Sequence, residues 1–183
     1  GPFPRIPYAD DGYYADGDAF HGYTPAHHAG LFYIQEPGAQ FPVRLLGGRR
    51  FRRALDLCAA PGGKSGQLAC FCDELYANEP VYKRAHILCG NLERLGVRNA
   101  VVTCNRPDEY AAAAAGSFDL VVVDAPCSGE GMFRKEPAAV EAYSAAHVAA
   151  CAVRSSAILE SAAACVGEGG YLLYSTCTFN RSE

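Results

Sequence analysis

The stretch that most constrains what this chain can fold into covers residues 118–132 and reads FDLVVVDAPCSGEGM. Its segment 120–123 is apolar throughout and rich in β-branched residues, which is typical of a strand buried on both faces of a parallel sheet. Asp124 stands where that strand should end, and Pro126 then fixes a turn. Because open α/β sheets bind ligands beyond the carboxyl ends of their strands, we expect Asp124 and Cys127 to lie where the chemistry is done.

Residues 49–183 alternate between strand and helix patterns along their whole length. Strands are predicted over residues 54–58, 75–78, 100–104, 120–123 and 171–176, and helices over 65–71, 80–96, 111–115 and 141–165, the last ended by Gly167, Gly169 and Gly170. The alternation predicts an α/β fold with a doubly wound, mostly parallel sheet. Cys177 then follows directly on the fifth strand, at its carboxyl end.

The first 48 residues are rich in Gly, Pro, Tyr and His and show little periodicity. We interpret residues 1–48 as an irregular, loop-rich N-terminal extension of a catalytic domain over residues 49–183, with a short helix or strand over residues 30–37. Its tyrosines either pin the extension onto the domain or stack on nucleic-acid bases. His27 and His28 are adjacent and cannot share one helical face, which argues against a metal site there.

Composition narrows the class of protein. A chain of 183 residues, half of them hydrophobic, suits one compact domain, and no apolar run approaches the roughly 20 residues that span a bilayer. Its nine cysteines lack zinc-site spacing, which indicates a reduced, cytoplasmic protein without structural metal. The net charge of −4 argues weakly against nucleic acid. The basic cluster over residues 44–53 is either a solvated connector or a phosphate contact.

Residues 56–64 (DLCAAPGGK) form a strand–turn–helix motif with two glycines. The glycines let the backbone approach a ligand, and the following helix offers free N–H groups to an anion such as a carboxylate. The motif is neither GxGxxG nor a P-loop. Glu79 ends the second strand, where such folds place an acid that binds ribose hydroxyls. Together they predict an adenosine-containing cofactor without a pyrophosphate; the alternative is a tight turn beside a surface carboxylate.

Four segments carry a resemblance to a known family: DLCAAPGGKS, NEPVYKRA, VVVDAPCSGEGMFRK and GGYLLYSTCTFN. Together they resemble the S-adenosylmethionine-dependent RNA cytosine-5 methyltransferases. The subgroup they resemble most is that of the bacterial 16S ribosomal RNA enzymes, whose preceding segment also reads YIQEP. The resemblance covers the chain from about Arg5 to its end and implies a Rossmann-like methyltransferase fold.

The resemblance implies a role for each of four side chains. Cys177, in the Thr-Cys motif, would be the nucleophile whose thiolate adds to carbon 6 of the target cytosine. Cys127, in the Pro-Cys motif, would serve elimination and release. Asp124 would hydrogen-bond the ring nitrogen and amino edge of the base. Lys64 would lower the thiolate pKa or sit near the base. The base would first be extruded from its stack.

The resemblance also implies a set of residues that bind S-adenosylmethionine. Seven of them form the glycine turn: Cys58, Ala59, Ala60, Pro61, Gly62, Gly63 and Lys64. The others lie at or after the ends of the next three predicted strands: Glu79 and Arg84 after the second, Asn105 after the third and Asp124 after the fourth. Asp108 is the alternative to Asn105. The cysteines other than Cys127 and Cys177 are interpreted as small core residues.

The chain ends soon after the Thr-Cys motif, so we expect a truncated domain whose last strand lies at an exposed edge. The family has further strands and an RNA-binding region beyond this point. The predicted activity is methylation of 16S rRNA, with transfer RNA as the alternative within the class. Two other classes stay open: a non-catalytic RNA-binding or assembly module, and a small-molecule methyltransferase. The intact set of Cys127, Cys177, Asp124 and Lys64 favours the RNA enzyme.

Overall fold

A computed structural model describes residues 3–15 and 22–183 of the chain. Two short antiparallel strands, β1 (Arg5–Ile6) and β2 (Ala9–Tyr13), precede a five-stranded sheet. The strands of that sheet are β3 (Phe51–Asp56), β4 (Cys72–Asn78), β5 (Ala100–Thr103), β6 (Phe118–Asp124) and β7 (Val166–Ser175). Their order is β5-β4-β3-β6-β7, and every neighbouring pair is parallel. The predicted doubly wound parallel sheet is confirmed.

Helices connect these strands in the described part of the chain. They are α1 (Pro25–His28), α2 (Pro37–Arg44), α3 (Gly63–Leu68), α4 (Tyr82–Arg94), α5 (Pro107–Ala114), α6 (Pro137–Ala142) and α7 (Ala145–Cys165), with a short 3-10 turn at Glu130–Met132. The strand order reverses at β3, since β4 and β5 lie on one side of it and β6 and β7 on the other. This switch point opens a crevice at the carboxyl ends of β3 and β6.

Strand β6 shows why the apolar run 120–123 is a central strand. Leu120 and Val122 face a core cluster with α3 and the end of α2, while Val121 and Val123 face a second cluster with α5 and α7. All four side chains are fully buried. Because both faces of the strand are covered, the period-2 alternation of polar residues seen in half-exposed strands is absent from it.

The N-terminal extension contains regular structure that its composition does not reveal. Val43 of α2 and Leu46 just after it are buried in the same core cluster as Phe51 of β3. The expected helix or strand over residues 30–37 is wrong, because residues 31–36 have no regular structure and α2 begins only at Pro37. The division of the chain at residue 48 stays a prediction.

The long helix predicted over residues 141–165 is two helices. Helix α6 ends at Ala142, and Ser144 has an extended backbone and caps α7 by accepting a hydrogen bond from the His147 N–H. The glycines expected to end the helix lie within β7, which begins at Val166.

Two other elements have boundaries that differ from the prediction. Helix α5 begins at Pro107, four residues earlier than predicted, and β3 ends at Asp56, so that Cys58 belongs to the turn.

Helix α7 is long and apolar enough to cross a membrane by length and composition alone, with a mean hydropathy of 1.3. The sequence prediction understated this helix. One such helix is weak evidence for a span, and the buried positions of α7 recur every three or four residues on a face that packs on the sheet: Val148, Cys151, Ser155, Ile158, Ala162 and Cys165. That pattern is typical of a core helix.

Candidate active site

Asp124 occupies the last position of β6 and is fixed from two sides. Its Oδ1 accepts a hydrogen bond from the hydroxyl of Ser175, the residue directly opposite it in β7, at 2.8 Å. Its Oδ2 lies 2.8 Å from the Nζ of Lys64, which belongs to α3. The pairing of two adjacent parallel strands and the helix after the glycine turn therefore place one ion pair at the switch point.

Cys127 and Cys177 meet beyond the ends of β6 and β7. Their Sγ atoms are 3.1 Å apart, both are free thiols, and either sulfur can be the donor. The Gly131 N–H donates a hydrogen bond of 2.7 Å to the carbonyl of Cys177. A Cβ at position 131 would stand 2.6 Å from that carbonyl oxygen, so this close approach requires glycine.

The two thiols titrate as a pair. The hydrogen bond from the Cys177 thiol is the largest cause that lowers the pKa of Cys127, to about 6, because it stabilises a thiolate on that sulfur. The same hydrogen bond, together with burial and the charges of Cys127 and Asp124, raises the pKa of Cys177. Cys127, the cysteine that the resemblance links to the release step, therefore has the lower pKa of the two. Since either sulfur can donate, we assign the readily formed thiolate to the pair.

Lys64 contacts Asp124, and its expected effect on the pKa of the thiols stays a prediction. Its ammonium group donates its hydrogen bond to Asp124, and the causes that lower the pKa of Cys127 are hydrogen bonds from the Cys177 thiol and backbone, the Gly129 backbone and Thr176. Lys64 therefore neutralises the acid beside the thiol pair. Its place near the target base stays a prediction.

A cavity of about 250 Å³ opens beside Lys64 and Asp124. Most of the predicted cofactor-binding residues line it: Cys58, Ala59, Ala60, Pro61, Gly63, Lys64 and Asp124. Gly62, with φ of 114°, is the N-cap of α3 and adopts a conformation that favours glycine. The glycine turn therefore forms one wall of a cavity that ends at the ion pair.

Glu79 is buried although its side chain carries a carboxyl group. Its Oε1 accepts a hydrogen bond of 3.0 Å from the Val81 N–H, and its Oε2 lies 3.4 Å from a guanidinium nitrogen of Arg84. Arg84 also donates a hydrogen bond of 3.2 Å to the carbonyl of Ala60 in the glycine turn. Glu79 and Arg84 are thus tied to the turn, at the edge of the crevice rather than in the wall of the cavity.

The position after the third predicted strand is the weakest of the predicted set. The backbone of Asn105 is held by the buried Asn78, whose side chain donates to its carbonyl and accepts from its N–H. Asn105 lines a separate cavity of about 350 Å³ beside α5. The carboxylate of the alternative, Asp108, is bound by Arg106.

Sequence reasoning missed two parts of the cavity. Asp56, the last residue of β3, is fully buried; its Oδ2 accepts a hydrogen bond of 2.6 Å from Ser65, and its Oδ1 has no partner among the described residues. Burial raises its pKa to about 6. A charged residue at the end of an apolar strand was the available signal, because such a carboxyl is buried only at an energetic cost.

The opposite wall of the cavity is the irregular segment 33–36, whose residues Tyr33 and Gln35 contact the glycine turn. A Cβ at position 63 would lie 2.9 Å from the Tyr33 ring and 3.0 Å from the Gln35 amide nitrogen. Glu36 forms an ion pair with Lys135, which follows the Pro-Cys loop. This wall carries no periodic pattern, and its packing could not be inferred from the sequence.

The basic cluster over residues 44–53 lies at the amino end of β3, away from the thiols. Arg50 pairs with Asp73 at 2.9 Å, and Arg53 pairs with Glu74 at 3.0 Å. Arg44 forms an ion pair with Asp11. These contacts favour a partly neutralised connector over a phosphate-binding surface.

Comparison with known proteins extends the motifs to the whole chain. The family model for 16S rRNA methyltransferase RsmB/F matches residues 44–183, and the model for the N-terminal domain of 16S rRNA methyltransferase RsmF matches residues 2–37. Ribosomal RNA small subunit methyltransferase F of Vibrio cholerae is 39% identical over 97% of this chain and 39% of its own length. The protein of the same description from Serratia proteamaculans is 38% identical over the same shares. The chain thus spans about two fifths of the length of these relatives.

Solved structures share the fold. NSun6 from Pyrococcus horikoshii superposes with a TM-score of 0.80 and 28% identity, over 90% of this chain and 42% of that one. A methyltransferase homolog from the same organism superposes with a TM-score of 0.77 and 28% identity, over 99% and 58%. Because the RsmB/F model takes in the glycine turn, both cysteine motifs and far more than half of the sequence, this chain belongs to the 16S rRNA methyltransferase RsmB/F family.

Proposed function

We propose that this chain is the catalytic part of an RNA cytosine-5 methyltransferase that uses S-adenosylmethionine and acts on 16S rRNA. The observation that carries the proposal is the pair of free thiols, 3.1 Å apart, beside the ion pair of Lys64 and Asp124. Two thiols beyond the ends of two different strands serve no need of the core. They suit a reaction that requires one sulfur to bond the base and a second group to help release it.

The first step of the proposed reaction is addition to the ring. The thiolate of Cys177 forms a bond with carbon 6 of cytosine, and the electron pair of the carbon 5–carbon 6 double bond moves toward carbon 5. Asp124 accepts a hydrogen bond from the amino group of the base, and the Lys64 ammonium limits the charge that builds up beside it. The hydrogen bond between the sulfurs lowers the pKa of Cys127 and raises that of Cys177, so Cys177 becomes the thiolate by passing its proton to Cys127, which releases that proton to water before the second step.

The second step restores the ring. S-adenosylmethionine, when bound, would supply an electrophilic methyl group to carbon 5, and its sulfur would keep the electron pair of the broken S–CH3 bond as a neutral thioether. Cys127, on the other side of the thiol pair, takes the carbon 5 proton directly or through a water molecule. The electrons of the broken C–H bond re-form the double bond, and Cys177 leaves as a thiolate. Once Cys127 holds the proton, its thiol can donate a hydrogen bond to the sulfur of Cys177 and stabilise the departing thiolate.

The residues around the 250 Å³ cavity fit the methionine part of the cofactor. The unpartnered Oδ1 of Asp56, a buried carboxylate oxygen beside the cavity, suits an ammonium group. The backbone of the glycine turn, residues 58–64, accommodates the cofactor chain. Glu79 at the edge of the crevice accepts hydrogen bonds from the ribose, with Arg84 as its neighbour. Asn105 is the weakest member of this set, since it lines a different cavity.

The RNA substrate is proposed from the relatives, which are described as ribosomal RNA small subunit methyltransferases of bacteria. Ribosomal RNA is the first choice and transfer RNA the alternative within the class. The reaction belongs in the cytoplasm, where bacterial ribosomes are assembled. Residues 49–183 are the catalytic domain, and residues 1–48 are an extension of which the segment 33–36 walls the cofactor cavity.

A non-catalytic RNA-binding module is the second candidate, and one observation bears on it. The basic cluster of residues 44–53 is partly neutralised by acidic neighbours, and the chain has a net charge of −4. We therefore expect weak RNA affinity from this chain by itself, which is an argument against an RNA-binding module.

Methyl transfer is the test of the proposed function. Unmodified 16S rRNA, incubated with the protein and S-adenosylmethionine labelled in the methyl group, should yield labelled 5-methylcytidine after digestion to nucleosides. A Cys177→Ala variant is the matched control and should yield none. Labelled product in any other nucleoside, or cofactor binding by calorimetry without labelled nucleoside, would overturn the proposal.

A further inference from the structure

The carboxylate of Glu130 bridges the two segments that carry the cysteines. Its Oε2 accepts hydrogen bonds from the Phe179 N–H at 2.7 Å and from the Thr178 hydroxyl at 3.0 Å. Its Oε1 accepts a hydrogen bond of 2.7 Å from the hydroxyl of Tyr143. Three donors from two separate parts of the chain therefore converge on a single side chain.

Both cysteines lie next to these contacts. Cys127 precedes Glu130 by three residues, and Cys177 directly precedes Thr178. The ladder between β6 and β7 ends with the pair Asp124 and Ser175, so the sheet no longer holds the two segments beyond that point. The spacing of the sulfurs therefore depends on contacts made by the loops themselves.

Those loop contacts are few, and two carboxylates make the charged ones: Glu130, and Glu183, whose Oε2 accepts a hydrogen bond of 2.7 Å from the Ser128 N–H. The Gly131 N–H donates to the carbonyl of Cys177, and the hydroxyls of Ser128 and Thr178 are 3.0 Å apart. The hydrogen bonds to Glu130, that of Tyr143 above all, hold the pKa of its carboxyl below the usual range. An ionised acceptor makes the stronger hydrogen bonds, and the side chain of Phe179 adds no packing of its own, since it is 84% exposed.

We propose that Glu130 is a positioning residue that holds the loops of Cys127 and Cys177 together, so that the two sulfurs stay within hydrogen-bond distance. It is not assigned a catalytic role, because its oxygens bind donors of the loops themselves and, unlike Lys64 and Asp124, it does not line the cofactor cavity. The use of this spacing in methyl transfer rests on the proposed function. The short distance between the two sulfurs does not depend on the proposed function, and it can be tested without RNA or cofactor.

The spacing is tested by the rate at which the two thiols form a disulfide. Diamide, a diazene, takes up two electrons and two protons from the thiols and becomes a hydrazine while the S–S bond forms. The native protein is treated with diamide, quenched with acid and alkylated, and the peptide that links Cys127 to Cys177 is quantified by mass spectrometry. A Cys127→Ser variant identifies that peptide by its absence.

Glu130→Ala should form this disulfide at least about tenfold more slowly than the unsubstituted protein, since three hydrogen bonds are lost. Glu130→Gln should fall between them, because its amide oxygen still accepts from Phe179 without the charge. Glu136→Ala is the matched control, because Glu136 is exposed and its side chain makes no helix-capping hydrogen bond among the described residues. This variant should form the disulfide at the rate of the unsubstituted protein. A thermal unfolding midpoint is recorded for each variant.

A Glu130→Ala rate equal to that of the unsubstituted protein would overturn the proposal. If this variant unfolds, Tyr143→Phe replaces it, since it removes one donor to Glu130 and keeps the ring packed against Phe133; an unchanged rate there would also overturn it. In an active preparation, Glu130→Ala should lower kcat and leave the KM for the cofactor unchanged. Loss of methyl transfer in every protein, with the disulfide rates as expected, would count against the proposed function alone.

Discussion

The sulfur of Cys127 lies 3.1 Å from the sulfur of Cys177, although fifty residues separate them in the sequence. Strands β6 and β7 are adjacent and parallel, so the segments that follow them emerge at the same edge of the sheet. The thiol pair loses one proton easily, because the thiol that remains donates a hydrogen bond to the thiolate.

Replacing Cys177 by Ala should raise the pKa of Cys127 from about 6 toward its ordinary value of 9.0, because the largest cause of the lowering is the hydrogen bond from the Cys177 thiol. The measurement is the rate of iodoacetamide alkylation of Cys127 between pH 5 and pH 10, followed by peptide mass spectrometry. The midpoint of the rate profile should move up by at least about one pH unit. An unmoved midpoint would show that the thiols are not coupled.

Asp56→Asn should make the chain more stable at neutral pH. Burial raises the folded-state pKa of Asp56 from 3.8 to about 6, so the folded state binds the proton more tightly than the unfolded state does. Stability from this group is therefore fully present below about pH 4 and is lost as the pH rises through about 6, by up to about 3 kcal/mol. The free energy of unfolding, measured with urea at pH 5 and at pH 7.5, should change less between these two pH values in the variant than in the unsubstituted protein.

Lys64→Ala should abolish most methyl transfer while changing stability little. Its partner Asp124 is 38% exposed, so the ion pair contributes no more than about 1 kcal/mol to folding. Loss of the cation beside the reacting base should lower kcat by about a hundredfold or more. Lys83→Ala, on the exposed face of α4, is the control for charge. Equal activities of the two variants would remove Lys64 from the site.

Gly131→Ala should destabilise the chain by about 1–3 kcal/mol and separate the two thiols, because its Cβ would stand 2.6 Å from the Cys177 carbonyl oxygen. Gly90→Ala on α4 is the matched control, since a Cβ there meets nothing within 4 Å. That control should be neutral or slightly stabilising. Denaturant unfolding compares the two variants, and a Gly131→Ala protein as stable as the control would contradict the packing described here.

The central strand, and the place of each cysteine beyond the end of a strand, could be predicted from the sequence, whereas the pairing of β6 with β7 that brings the two sulfurs together could not. The apolar run 120–123 fixes a buried parallel strand, and parallel strands bring the residues that follow them to one edge. The break between α6 and α7 had a signal in Ser144, a good N-cap, which the surrounding alanines outweighed in the sequence prediction.

The remaining parts of the site depend on packing over long distances. Nothing in the order of residues 33–36 indicates that this irregular segment packs on the glycine turn. The role of Glu130 is equally hidden, since its three donors lie 13 or more residues away in the chain. The unpartnered oxygen of Asp56 is visible only once the burial of that carboxyl is known.

The most direct test of the account uses Cys127→Ser, incubated with unmodified 16S rRNA and S-adenosylmethionine and run on a denaturing gel beside a Cys127→Ser/Cys177→Ser double variant. The account predicts a protein–RNA adduct that survives denaturation in the single variant, because Cys177 adds to the base and release fails. The double variant should show no adduct. Absence of the adduct from a single variant that binds both RNA and cofactor, or its persistence in the double variant, would contradict the account.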